Sequence, residues 1–308
     1  MPPKGRDGPG AAMPADDSTA DAQTPAPNTP APRTIFSVPA PIKRIFDKVP
    51  LITYAPNELP YRAANEVDGN RLFIFTDDEG ARLGKPSFNP QCLRWQAYLK
   101  FVGIDFHTIP SNNHASPTGA LPYLLPALPL NTLVPIPSNK LQKWAIEQVH
   151  CEEEQQISMR FEVYASLLDT RIRNAWLYAL YLDKDNFDAV ARKLYIEPST
   201  SNAVVRSVLA TQLQQAARDE LLKTSDYIDV SDLEAEADNA FEALSTLLGE
   251  NQYFFDRRTP GLFDASVFAY THLLLDKSMG WRHNRLSVLL RKYKNLVRHR
   301  DNLFEKFF

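Results

Sequence analysis

The stretch that most constrains how this 308-residue chain can fold is Leu121-Pro122, inside "SPTGALPYLLP" (116–126). Proline has no N–H to give to a β-ladder, so within a sheet it is confined to a strand's first residue or edge. The bond before proline is also where a cis peptide is readily tolerated, typically in a tight turn. The expectation is a cis bond at Leu121-Pro122, leading into a short apolar strand. The same region rules out another fate. Leu121 to Pro137 is the longest apolar stretch, yet it carries five prolines in 17 residues. A membrane-spanning helix needs about 20 predominantly apolar residues with an unbroken hydrogen-bond ladder. No membrane span is expected anywhere in the chain.

Around that turn the elements fall into a definite order. "RLFIFT" (71–76) reads as a buried strand. In "NPQCLRWQAYLKFVG" (89–103), Asn89 is placed to cap a helix, Pro90 to occupy its first position and Gly103 to stop it. Cys92, Trp95, Leu99 and Val102 form a buried stripe there, with Arg94 and Lys100 facing outward. "DFHTIP" (105–110) is a second strand, "YLLPAL" (123–128) a third and "NTLVPI" (131–136) a fourth at the edge, followed by a helix with Ser138 at or near its cap. Beyond about residue 145 the pattern is helical. Ser231 and Glu234 read as a capping box, Leu233, Ala237, Ala240, Phe241, Leu244, Leu247 and Leu248 as an apolar face, and Gly249 as the stop. Trp176, Tyr178 and Tyr181 read as helix core.

The flanks and the charge pattern exclude several function classes. Residues 1–33 hold eight of the 24 prolines and no Ile, Leu, Val or aromatic, and are expected to be a disordered leader. Four acids against three bases do not suggest an Arg-rich transit peptide, and the lack of an apolar core does not suggest a secretory signal. Residues 34–68 form an irregular, proline-broken lead-in. Net charge is −3, with eight acids and one lysine in 219–238 and seven Lys/Arg without an acid in 282–300. Each run reads first as a solvated face. The sharper reading makes the basic one a surface for a partner or anionic lipid, through Arg285, Arg291, Lys292 and Arg298. Cys92 and Cys151 do not make a disulfide framework. His150-Cys151 is the nearest approach to a metal site and nothing completes it, so neither metal nor cofactor is expected. His107 and His114 have no nucleophile beside them, and no phosphate-binding glycine loop or Ser/His/Asp grouping occurs.

Strand, helix, strand, proline turn, two strands and helix is the thioredoxin-like order, and an all-helical part after it resembles the glutathione transferases. "SPTGALPYLL" is similar to that family's cis-proline motif, "SNKLQKW" to the helix that follows, and "LLGENQYFFDRRTPGLFDASVFAY" to its C-terminal core, with Asp264 as the buttress of a folding helix. Gly261 stands where the family has Ser or Thr, so half of the reciprocal cap is missing. "SLLDTRIRNAWLYALYLDKDNFDAVARKLY" (166–195) and "NPQCL" resemble metaxins rather than working transferases, most of all the fungal members. The fold class implied is α/β plus all-α, with a thioredoxin-like domain over 69–144 and a helical glutathione-transferase-like domain over 145–308.

The resemblance also says what chemistry to expect. A transferase carries Ser, Tyr or Cys at the start of its first helix, where hydrogen bonding and the helix dipole hold a thiolate. Asn89 stands there and cannot ionise, Cys92 falls on the buried stripe, and Pro137 replaces the acid that would clasp glutathione. The expectation is no enzyme and no catalytic residue, with Pro122 and Asp264 as inherited scaffold. By the same resemblance, the chain is a peripheral subunit on the cytosolic face of the mitochondrial outer membrane. It docks on the β-barrel core of the sorting and assembly machinery beside a second metaxin-like subunit, and helps receive and insert β-barrel precursors. The alternatives are a cytosolic glutathione-dependent enzyme using Cys92, or a soluble transferase-like adaptor.

Overall fold

The structure, a computed structural model, describes residues 69–127, 134–149, 159–223 and 225–308. The leader, the lead-in, the first half of the fourth-strand segment (131–133) and the His150-Cys151 pair lie outside the described residues. Strand β1 (Asn70–Ile74) runs parallel to β2 (Phe106–Pro110), while β3 (Tyr123–Leu125) pairs antiparallel with β1 and with the two-residue β4 (Ile136–Pro137). The sheet order is β2-β1-β3-β4. Alternation along β1 sends Leu72 and Ile74, both at 0% exposure, to one face, and Phe73 to the other, where it stacks on Tyr123 at 4.4 Å.

Between these strands lie α1 (Asp78–Leu83), absent from the sequence reading, and α2 (Pro90–Phe101); α3 (Ser138–Val149) follows β4. Asn89 caps α2 as expected, its Oδ1 accepting from Gln91 N at 3.0 Å and Cys92 N at 3.2 Å. Gly103, at φ +76°, ends the helix in a Schellman arrangement, with Gly103 N donating to Lys100 O and Ile104 N to Leu99 O. The expected outward face of α2 does not exist. Leu93, Gln96, Ala97 and Tyr98 are buried along with Cys92, Trp95 and Leu99, and Arg94 and Lys100 are half-buried. The helix is enclosed because the sheet packs on one side of it and the buried C-terminal helix Leu262–Leu275 on the other. That helix is not visible in the local 3-4-3 spacing.

The remainder is helical. Helix α4 spans 159–182, with α-helical turns (Met159–Ser166, Arg173–Leu177) alternating with π-helical ones (Leu167–Ile172, Tyr178–Leu182), and α5 spans 184–196. Next come α6 (Ala203–Leu221), α7 (Val230–Leu248), α8 (Leu262–Leu275), α9 (Arg285–Leu290) and α10 (Lys294–Phe307). Helix α7 is capped by Asp229, which accepts from Ser231 N at 2.8 Å and Asp232 N at 3.3 Å, and not by Ser231. An ionised carboxylate is the stronger acceptor at the positive end of a helix. Glu234, released from a capping role, pairs instead with Arg285. Trp176 is core as expected, edge-on to Tyr270 and Trp281, whereas Tyr178 and Tyr181 are half-buried. Every residue of α8 except Ser266 is buried, and one continuous apolar core joins it to α2 and the sheet.

Candidate functional site

The place where a transferase does its chemistry is the N-terminus of α2, beside the proline turn. Local sequence builds that turn. Gly119 takes φ +73°, Ser116 Oγ donates to Ala120 O at 2.6 Å, and Asn113 Oδ1 accepts from Leu121 N at 3.1 Å. The Leu121-Pro122 bond is cis. Pro137 pairs opposite Tyr123, and Ser138 is the first residue of α3, so no carboxylate stands at the start of that helix.

The helix end itself is filled by the protein's own groups. While Asn89 Oδ1 satisfies the first-turn amides, its Nδ2 donates to the Tyr195 hydroxyl at 3.3 Å, and that hydroxyl donates to Phe88 O at 3.3 Å. Tyr195 arrives from α5 and lies edge-on to Phe75 at 5.2 Å and Phe88 at 5.3 Å. Burial, with Tyr181 alongside, pushes the Tyr195 phenol well above its ordinary value, so it stays neutral. Below it, Ser87 Oγ donates to Phe75 O at 2.6 Å and accepts from Asn89 N at 3.2 Å, while Gln96 bridges Ser87 N and Lys85 O. Burial also pushes the Cys92 thiol up to about 12, and hydrogen bonds from Phe75 and Ser87 only partly offset it. At neutral pH the sulfur is a thiol in a closed core, a poor nucleophile.

Asp264 lies at the start of α8 at 1% exposure. Its carboxylate accepts from Gly261 N at 2.9 Å, Phe254 N at 3.0 Å and His299 Nε2 at 2.9 Å. Gly261 has no side chain with which to reciprocate, so only Asp264's half of the cap is made. His299 supplies a third partner that the sequence reading did not assign. Asp183 and Asn186, part of the metaxin-like motif, also have definable structural roles. Asp183 caps α5, and Asn186 Oδ1 accepts from Arg282 N and His283 N while its Nδ2 donates to His283 O.

The basic residues singled out for a partner or lipid are engaged within the chain. Arg285 reaches Glu234 at 3.4 Å, Lys292 Asp238 at 2.7 Å and Arg298 Glu250 at 3.3 Å, while Arg291 Nε donates to Ser287 Oγ at 3.4 Å. Glu234 and Asp238 of the acid run, both on α7, meet the basic run at Arg285 and Lys292, whereas Glu250 lies beyond the acid run. Each such exposed pair contributes about 0–1 kcal/mol. Two oppositely charged runs of similar size were a signal that they could neutralise each other. Tyr195 was missed for a different reason, since a tyrosine some 100 residues from the helix it plugs leaves no local pattern. His107 and His114 are both exposed.

The Glutathione S-transferase N-terminal domain matches residues 90–186 and the C-terminal domain 237–303, and the model for SAM35, a subunit of the SAM complex, matches 36–89. Metaxin-3 of Xenopus laevis is 27% identical over 242 residues, covering 74% of this chain and 75% of the relative. Metaxin-1 of Homo sapiens is 27% identical over 237 residues, 73% of this chain and 49% of the relative. Among solved structures, the glutathione S-transferase CsGST83044 of Ceriporiopsis subvermispora is 11% identical at a TM-score of 0.49, covering 78% of this chain and 98% of that one. Glutathione S-transferase III in apo form is 13% identical at 0.44, covering 78% and 95%. The two transferase domain matches and the architecture define a protein with the glutathione-transferase fold. Within that fold the chain is metaxin-like, as the metaxin relatives and the SAM35 match show.

Proposed function

We propose that this chain is a non-enzymatic, peripheral subunit of the mitochondrial outer-membrane sorting and assembly machinery. It faces the cytosol, docks on the β-barrel core beside a second metaxin-like subunit, and aids receipt and insertion of β-barrel precursors. The SAM35 match and the metaxin relatives support the assignment to the machinery. The observation that carries the non-enzymatic part is the filled N-terminus of α2. Asn89 and Tyr195 occupy the groups that would hold a thiolate, and Cys92 is a buried thiol. Among the described residues no helix is long and apolar enough to cross a membrane, which suits attachment through partners.

The test combines two measurements on the full chain. Purified protein should neither be retained on glutathione-agarose nor conjugate glutathione to an aryl halide, and Asn89→Ser should not create activity while Tyr195 remains. Native purification from mitochondria should bring down the barrel subunit in stoichiometric amount. Turnover that disappears in Cys92→Ser would restore the enzyme reading, and recovery of the chain alone from the cytosol would leave only a soluble adaptor.

A further inference from the structure

Helix α6 is fastened by a narrow seam. Ala210, Ala217 and Leu221 are buried, Leu209 and Leu213 partly so, and Gln214 Nε2 donates to Tyr181 O at 3.2 Å. The opposite face presents Val204, Val205, Val208, Thr211, Gln212 and Gln215 to solvent, Val204 at 72% exposure and Val208 at 50%. From Ala203 to Ala217 the single charged residue is Arg206, and its guanidinium is turned back onto Thr200 O at 2.6 Å and Glu197 O at 3.3 Å. From Val204 to Gln212, about two and a half turns, no charge projects from this face; charge returns at its C-terminal end, where Gln215 Nε2 donates to the exposed Asp219 carboxylate at 2.7 Å. A helix face in water ordinarily carries charge. Helix α7, of the same 19-residue length, exposes Asp232, Glu236 and Glu242.

We propose that the outward face of α6 is a docking surface for an uncharged helix of another protein subunit. Charge selects that occupant. Between Val204 and Gln212 a partner charge would lose its water and find no counter-charge, so the surface facing that part must be uncharged too. Depletion of charge is also what marks the buried centre of protein interfaces. Size agrees with this, since no outward side chain is longer than glutamine. Small side chains let helix axes approach to about 8–10 Å, with the Val204–Val208–Gln212 row as a ridge for the groove opposite. The strip carries no Trp, Lys or Arg to anchor it among lipid headgroups, which argues against a bilayer. It is also too small to hold two copies together alone, on the order of 200 Å² from a helix about 20 Å long and 10 Å wide against about 800 Å² per partner in a standard interface. The occupant therefore belongs to an assembly held by further contacts, and the inference rests on the subunit role proposed above.

The test uses Val208→Glu with Gln212→Lys in the full chain. These residues form an exposed i,i+4 pair that supports the helix, so the melting temperature should match wild type. The amount of chain in the native-size complex from mitochondria should fall at least tenfold, while Leu83→Glu, at another exposed apolar position, should leave it unchanged. A photo-crosslinker at position 208 of otherwise wild-type chain should join one other subunit of the complex. Normal assembly of the double variant, or crosslinks only to lipid or to the same chain, overturns the docking surface and leaves the subunit role standing. Wild-type chain found outside any complex overturns the subunit role itself, and the docking surface with it.

Discussion

His272 shows what burial does to one ionisable side chain. It sits in α8 at 3% exposure between the rings of Phe268 and Phe304, with Nε2 4.0 Å from Asp276 and Nδ1 without a partner. Burial, and then the guanidinium of Arg300, lowers its pKa to about 4, against the opposing pull of Asp276 and Asp301. In the unfolded chain the imidazole titrates near 6.5. Between the two values the unfolded state binds more protons, so this contribution to stability is complete above about pH 6.5 and is lost as pH falls toward 4. A fall of that size corresponds to about 3 kcal/mol at roughly 1.4 kcal/mol per pH unit. Urea unfolding at pH 7 and pH 4.5 should show a smaller pH-dependent loss in His272→Gln than in wild type. Equal losses in the two proteins would mean His272 is not what titrates. Nothing in "AYTHLLLD" marks that histidine beyond its apolar neighbours. Asp264 was legible from its motif, but His299, its partner 35 residues further on, was not.

At the scale of elements, helices announced themselves best where their ends carry chemistry. Asn89-Pro90 and Gly103 bracket α2 because capping and a positive φ are local requirements. The two-residue strand β4 and the π-helical turns of α4 and α5 have no such local signature. The cap of α7 was misplaced from Asp229 to Ser231 because both are good caps and only the ladder decides between them. The start of α8 depends on a single residue. Asp264→Ala would strand the amides of Phe254 and Gly261 and the ring nitrogen of His299 in a site without water access. We expect a loss of several kcal/mol, since each buried donor left without an acceptor costs about 1–3 kcal/mol. Asp264→Asn, which keeps an acceptor, should lose less. Chemical denaturation measures both, and a loss under about 1 kcal/mol for the alanine variant would show that α8 begins without its carboxylate.

For the whole molecule, the architecture followed from the order of elements, whereas the site's closure depended on contacts between distant segments that spacing cannot show. Those contacts also bear on membrane attachment. Arg285, Lys292 and Arg298, three of the seven cations in the basic run, already face Glu234, Asp238 and Glu250 and are less available to lipid headgroups. At 1 M salt the Debye length is about 3 Å, so neutral high-salt washes would strip a protein held by lipid charge. We expect alkaline carbonate to release this chain from mitochondrial membranes and 1 M salt at neutral pH to release little. Full release by salt would contradict attachment through a protein interface. The enclosure of α2 has a further consequence. Cys92, Trp95 and Tyr98 are covered from two sides, Phe101 lies 6.4 Å from Phe268, and Lys100 is hydrogen-bonded to Phe307 O at 2.9 Å. Sheet and C-terminal helices share one keystone, so opening either side of the described structure uncovers α2, and the two are expected to unfold in a single transition.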